Sequence, residues 1–112
     1  MKNDRVYLNH IIDAITRIES YTSKGKEVFF RESVVQDAVI RNLEIIGEAV
    51  KNLSADLRVH YPEIPWARIA GMRDVLIHEY FGVRLQTVWN AVENRLPELR
   101  RHIETLLGKA EK

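Results

Sequence analysis

The chain contains no cysteine. Disulfides and thiolate metal sites are therefore excluded, and a reducing cytoplasm is the expected setting. There is also no long apolar run. No stretch approaches the roughly 20 apolar residues that a membrane span requires. The first twenty residues, MKNDRVYLNHIIDAITRIES, have no unbroken hydrophobic region of the kind a secretory leader carries and read instead as an amphipathic helix. Charge of one sign is lacking too: the formal net charge is only +1. Whole-molecule electrostatics thus gives no drive toward non-specific nucleic-acid binding. Strand-period alternation, internal repeats, low-complexity tracts and linkers long enough to divide domains are all missing. So are a Gly-rich phosphate loop and a nucleophile elbow.

What is present is helical periodicity. At 112 residues, with 46% hydrophobic and 29% charged content, the composition is that of one globular domain spanning residues 1–112. Leu8, Ile11, Ile15 and Ile18 make a first stripe, with Asn3 or Asp4 placed to cap its start and Ser23-Lys24-Gly25 to end it. Val35, Val39, Leu43, Ile46, Val50 and Leu53 make a second, longer one. That helix also carries Ala38, Ile45, Gly47 and Ala49 on other faces, so it must be covered on more than one side. Gly47 permits close approach by another helix and weakens its own by about 1 kcal/mol relative to Ala. Pro62 and Pro65 forbid a continuous helix between them. A short helical turn fits Ala55–His60, and Pro65 suits the first position of a helix running from about Trp66 to Phe81, where Gly82 is a natural stop. The last stripe is Leu85, Val88, Val92, Leu96, Leu99, Ile103 and Leu106, with a kink or restart expected at Pro97. The expected fold is an all-α four-helix bundle with one short extra helix.

The segment Arg73-Asp74-Val75-Leu76-Ile77-His78-Glu79-Tyr80 concentrates the chemistry. Arg presents a planar fork of donors to anionic oxygens. His exchanges protons near neutral pH. Together they suffice for phosphodiester cleavage without a metal, and Tyr80 sets a hydroxyl beside them. A bland reading also exists, in which Arg73 is an ordinary surface cation, His78 a hydrogen-bonded helix-end imidazole and Tyr80 a core aromatic. Five residues separate Arg73 from His78, well off a common helical line. A long arginine closes part of that gap, and a symmetric partner closes the rest.

A zinc-protease motif fails at His78-Glu79-Tyr80-Phe81-Gly82, where glycine stands in place of the second ligand. His10, His60 and His102 show no ligand spacing, and no metal or other cofactor is expected. Local basic surfaces are available from Arg58, Arg68, Arg73 and Arg84, and from Arg95, Arg100 and Arg101. The same arginines, interspersed with Glu63, Asp74, Glu79 and Glu98, equally describe a solvated mixed-charge surface.

Arg73-x4-His78-x-Tyr80 resembles the R-x4-H-x-Y motif of HepT-type toxins of the HEPN superfamily. The likeness extends through Arg41–Ala49, Tyr61–Trp66, Ile69–Asp74 and Val88-Trp89, in the family's order and over nearly the whole chain. It implies a homodimeric HEPN bundle with the motif helices facing each other. It implies a metal-independent endoribonuclease with Arg73 and His78 catalytic and Asp74 supporting. It also implies a toxin encoded beside an MntA-type nucleotidyltransferase antitoxin, which silences the toxin by transferring AMP to Tyr80. An RNA substrate brings its own nucleophile, the 2′-hydroxyl. The alternative function is a non-catalytic helical adaptor that presents substrate or nucleotide to a nucleotidyltransferase subunit.

Overall fold

Helix α1 runs from Asp4 to Tyr21 and buries Leu8, Ile11, Ala14, Ile15 and Ile18 along one face. The structure, a computed structural model, describes residues 3–78 and 84–110, with side chains for 3–73 and 84–108. Asn3 occupies the N-cap position of α1 but makes no side-chain cap. Asp4 turns inward instead and accepts hydrogen bonds from the backbone N–H and hydroxyl of Ser54 at 2.8 and 2.6 Å. At the other end, the Thr22 hydroxyl donates to the Ile18 carbonyl. Gly25 then takes φ 96°, a conformation side chains rarely adopt, and reverses the chain.

That turn leads into an element the periodicity did not predict. Helix α2, Lys26–Arg31, is only six residues long, too short to show a stripe. It exists because Phe29 is fully buried, its ring 5.2 Å from that of Trp89. Gln36 donates to the Phe29 and Phe30 carbonyls and so satisfies the end of this short helix.

Helix α3, Ser33–Lys51, is the central element, packed between α1 on one side and α5 on the other. From Val39 onward its apolar residues are buried or half-buried within the chain. Helix α4, Ala55–His60, coincides with the expected short turn, and Ser54 caps it by accepting from the Leu57 N–H. The Tyr61–Trp66 segment then folds on itself. The Trp66 indole N–H donates to the Tyr61 carbonyl at 3.0 Å, and the ring is buried. Helix α5 is Trp66–His78. The Pro65 carbonyl accepts from the Ile69 N–H, so Pro65 is the cap rather than the first helical residue. The expected continuation to Phe81 and the stop at Gly82 lie outside the described residues.

The last segment forms α6, Leu85–Asn90, and α7, Leu96–Ala110. The break expected at Pro97 is a π-helical turn over Ala91–Arg95, just before the proline. Proline has no N–H to offer, and its ring crowds the carbonyl four residues back. A wider turn at that point lets the helix continue without reversing direction. Arg100 ties α7 to α1 through a two-pronged contact with Glu19, at 2.9 and 2.7 Å, and a bond to the Thr16 hydroxyl. Its hydrogen bond to Glu19 raises its pKa above the ordinary arginine value.

The result is an all-α bundle, as the resemblance to HEPN proteins implies, with long elements α1, α3, α5 and α6–α7 and short α2 and α4. Among the described residues there is no strand, and no helix is long and apolar enough to cross a membrane.

Candidate active site

Arg73 is the best-defined member of the predicted motif. It lies on α5 where that helix meets Gly47 of α3. A Cβ placed on Gly47 would fall 2.5 Å from the Arg73 Cβ. The guanidinium reaches back across α3, its Nε donating to Glu48 at 2.7 Å. Arg73 is half-buried, with 31% of its side chain exposed, against 54% for Glu48. A glycine and a carboxylate at adjacent positions of one helix thus fix both the root and the head of the arginine. Such an arginine is better ordered than a surface cation, whose head samples many rotamers.

Asp74 and His78 follow on the same helix. Their side chains lie outside the described residues, as does Tyr80 altogether. The helical backbone is continuous from Trp66 to His78, so Arg73 and His78 are offset by about 140° around the axis and about 7.5 Å along it.

Arg73 faces a recess of about 220 Å³. Its floor is the outward line of α3, formed by Arg41, Glu44, Ile45, Glu48 and Asn52, and Tyr7 and His10 of α1 form the opposite wall. On the other side of α5 lies a wider groove of about 750 Å³, with Leu43, Ile69, Met72, Val88, Leu96 and Leu99 among its lining. Arg68, Arg84 and Arg95 stand in that groove. The basic residues are therefore grouped differently from their order in sequence. Arg73 belongs to one concavity, Arg68, Arg84 and Arg95 share the other, and Arg100 is committed to Glu19. Among the described residues, no three His, Asp or Glu side chains cluster as a metal site.

Comparison with known proteins resolves the class. The family model described as Ribonuclease HepT-like matches residues 11–106. The chain belongs to the HepT-like ribonuclease family. It is 44% identical over 106 residues to the protein named probable ribonuclease HepT of Thermococcus cleftensis, covering 94% of this chain and 96% of that one. It is 44% identical over 110 residues to a protein provisionally named an RNase in Caldanaerobacter subterraneus subsp. tengcongensis, covering 97% and 98%. A Methanocaldococcus jannaschii protein, named a gamma-glutamylcyclotransferase and, provisionally, an RNase, is 46% identical over 112 residues. The match takes in 99% of this chain but only 50% of that relative, so the chain spans half of it. No solved structure matches.

As a HepT-like ribonuclease, the chain is an RNA-cleaving enzyme. Sequence reading had given no role to Glu48, Tyr7 or His10. The available signal was the spacing Arg41, Glu44, Glu48, Asn52, a polar line along a stretch whose other residues, Lys51 apart, are buried or half-buried. A central helix keeps such a line where it meets solvent, and here that opening is the recess.

Proposed function

We propose that this HepT-like ribonuclease is the toxin of a two-gene toxin–antitoxin pair, a cytoplasmic endoribonuclease that forms a single domain and acts as a homodimer. The observation that carries the reading is the fixing of Arg73 by Gly47 and Glu48, on the same helix as His78. In this reading the RNA 2′-hydroxyl attacks the adjacent phosphorus, and the bond to the 5′-oxygen breaks. His78 handles the proton that leaves the hydroxyl or reaches the departing oxygen. Arg73 stabilises the charge gathering on the phosphoryl oxygens. Asp74 supports the site. The angular offset between Arg73 and His78 favours a composite site, with a second copy of the chain bringing its own arginine and histidine to one cleft.

Regulation follows from Tyr80, two residues beyond His78. A cognate MntA-type nucleotidyltransferase transfers AMP from ATP to the Tyr80 hydroxyl and releases pyrophosphate. The added phosphate and nucleoside bring bulk and negative charge beside the proton-transfer residue, which blocks the cleft and competes for Arg73.

The test is cleavage of single-stranded RNA in EDTA by protein prepared without the antitoxin. Wild type is expected to cut. Arg73→Ala and His78→Ala are each expected to lose on the order of 10²-fold or more in rate. Equal cleavage by wild type and His78→Ala overturns the assignment. Mixing the two inactive variants restores activity only if the site draws on two copies.

A further inference from the structure

Two rings of α1 share the recess of Arg73, and the mechanism above uses neither. Tyr7 and His10 lie three residues apart and meet edge to face, with centroids 5.8 Å apart and planes at 90°. Tyr7 packs against the core, and His10 is exposed. Arg41, also exposed, stands on the α3 floor of the same recess.

The chemistry of the recess narrows its ligand. Two guanidiniums, Arg41 and Arg73, meet two carboxylates, Glu44 and Glu48, so this is no plain anion trap. Guanidiniums take phosphate oxygens. Carboxylates accept hydrogen bonds from amino groups such as those on base edges. Exposed aromatic rings take the flat faces of unstacked bases. A lone phosphate uses only the first of these features, and an apolar ligand uses only the last. A nucleotide uses all three, and a recess of about 220 Å³ is on the scale of one such unit.

We propose that this recess is a subsite for the nucleotide next to the cleaved linkage, with the Tyr7–His10 pair against its base and Arg41 at its phosphate. The proposal rests on the reading of Arg73 as part of the cleavage site. It extends the functional surface from α5 across α3 to α1, and it makes single-stranded RNA the preferred substrate form, because a paired and stacked base offers no free face to the rings.

The test pairs two measurements on Tyr7→Ala, Tyr7→Phe, His10→Ala and Arg41→Ala, with Arg31→Ala on α2 as a charge control. One is steady-state cleavage of a short single-stranded RNA. The other is anisotropy binding of a labelled 2′-deoxy hexanucleotide, which keeps bases and phosphates but lacks the attacking hydroxyl. His10→Ala is expected to raise KM and probe Kd by about five- to a hundred-fold, with kcat little changed, as loss of a stacking ring does elsewhere, and Tyr7→Ala to raise both by less, because its ring stands at 90° to that of His10. Tyr7→Phe is expected to bind like wild type. Arg41→Ala is expected to weaken the probe and lower its salt dependence by about one phosphate contact. If Tyr7→Ala does not fold, His10→Ala still decides, because it removes an exposed ring. Unchanged KM and unchanged probe binding in His10→Ala overturn the subsite. Should wild type cut no RNA, the cleavage reading fails by itself. Probe binding that depends on His10 then keeps the subsite, and binding that ignores His10, or no binding, overturns it.

Discussion

Gly47 on α3 and Arg73 on α5 are in direct contact. A Cβ at position 47 would lie 2.5 Å from the Arg73 Cβ and 3.3 Å from its Cα and backbone nitrogen. The obstructing atoms are the root of the side chain and the main chain, so no rotamer change relieves the clash. In an isolated helix Gly47→Ala gains about 1 kcal/mol. Here overpacking costs about 1–3 kcal/mol, and the helix that must move is the one bearing the proposed catalytic motif. The expected outcome is a net loss of stability in urea, with a loss of RNA cleavage larger than the unfolded fraction explains. Equal or greater stability with full activity would show that α3 and α5 have room to spare.

Glu48 acts on the same arginine from the other end. Its carboxylate receives the Arg73 Nε at 2.7 Å, but both side chains are substantially exposed. Such a pair contributes only about 0–1 kcal/mol to folding. In the proposed mechanism its value is in aim, since a misplacement of about 1 Å can cost on the order of 10²-fold in rate. Glu48→Gln keeps the volume and one acceptor oxygen but loses the charge. It is expected to melt within a few degrees of wild type while kcat falls on the order of ten-fold. Glu48→Ala should fall further. A merely structural role would move melting temperature and activity together.

The long helices were legible because burial imposes a period on them. Leu8, Ile11, Ile15 and Ile18 repeat at helical spacing and are all buried in the structure. The Ala55–His60 turn was legible from Ser54 and the prolines that follow it. Helix α2 was not, because its single buried residue, Phe29, owes its place to Trp89, sixty residues away in sequence. The π-turn was half legible: Pro97 announced a disturbance, but proline chemistry alone does not choose between a kink, a restart and a wider turn. The multiple apolar faces of α3 announce cover on more than one side, and the chain supplies it with α1 and α5. Within the site, Arg73 stood out by its motif. Glu48 did not, because a surface glutamate on a helix has no signature until the helix it faces is known.

Asp4 and Ser54 form a polar link between two helix starts that lie 50 residues apart in sequence. Asp4 is 7% exposed, its carboxylate accepts both Ser54 donors, and the Ser54 hydroxyl in turn accepts from Leu57 N–H. Removing one partner strands the other in a nearly dry position. Asp4→Ala and Ser54→Ala are each expected to cost about 1–3 kcal/mol. The double variant should cost clearly less than the sum, because the second change removes a group already orphaned by the first. Urea denaturation of the four proteins measures the coupling. Strict additivity would mean that the two residues stabilise their helices independently.

Phe29 tests whether the helix that periodicity missed is a structural necessity. Its ring is wholly buried, 5.2 Å from both Phe30 and Trp89, and α2 holds it against α6. Truncating a large buried aromatic costs about 3–5 kcal/mol, a large share of the 5–15 kcal/mol typical of a folded domain. By contrast, Val34 and Val59 are 79% and 74% exposed, and their alanine variants should stay within about 0.5 kcal/mol of wild type. Phe29→Ala is therefore expected to lower the urea midpoint far more than either valine change. It should also shift tryptophan emission to the red as water reaches Trp89, whereas Trp66, sealed by its bond to Tyr61, keeps its own environment. Retention of native stability and emission in Phe29→Ala would mean that α2 merely covers a core that α1, α3 and α7 already complete.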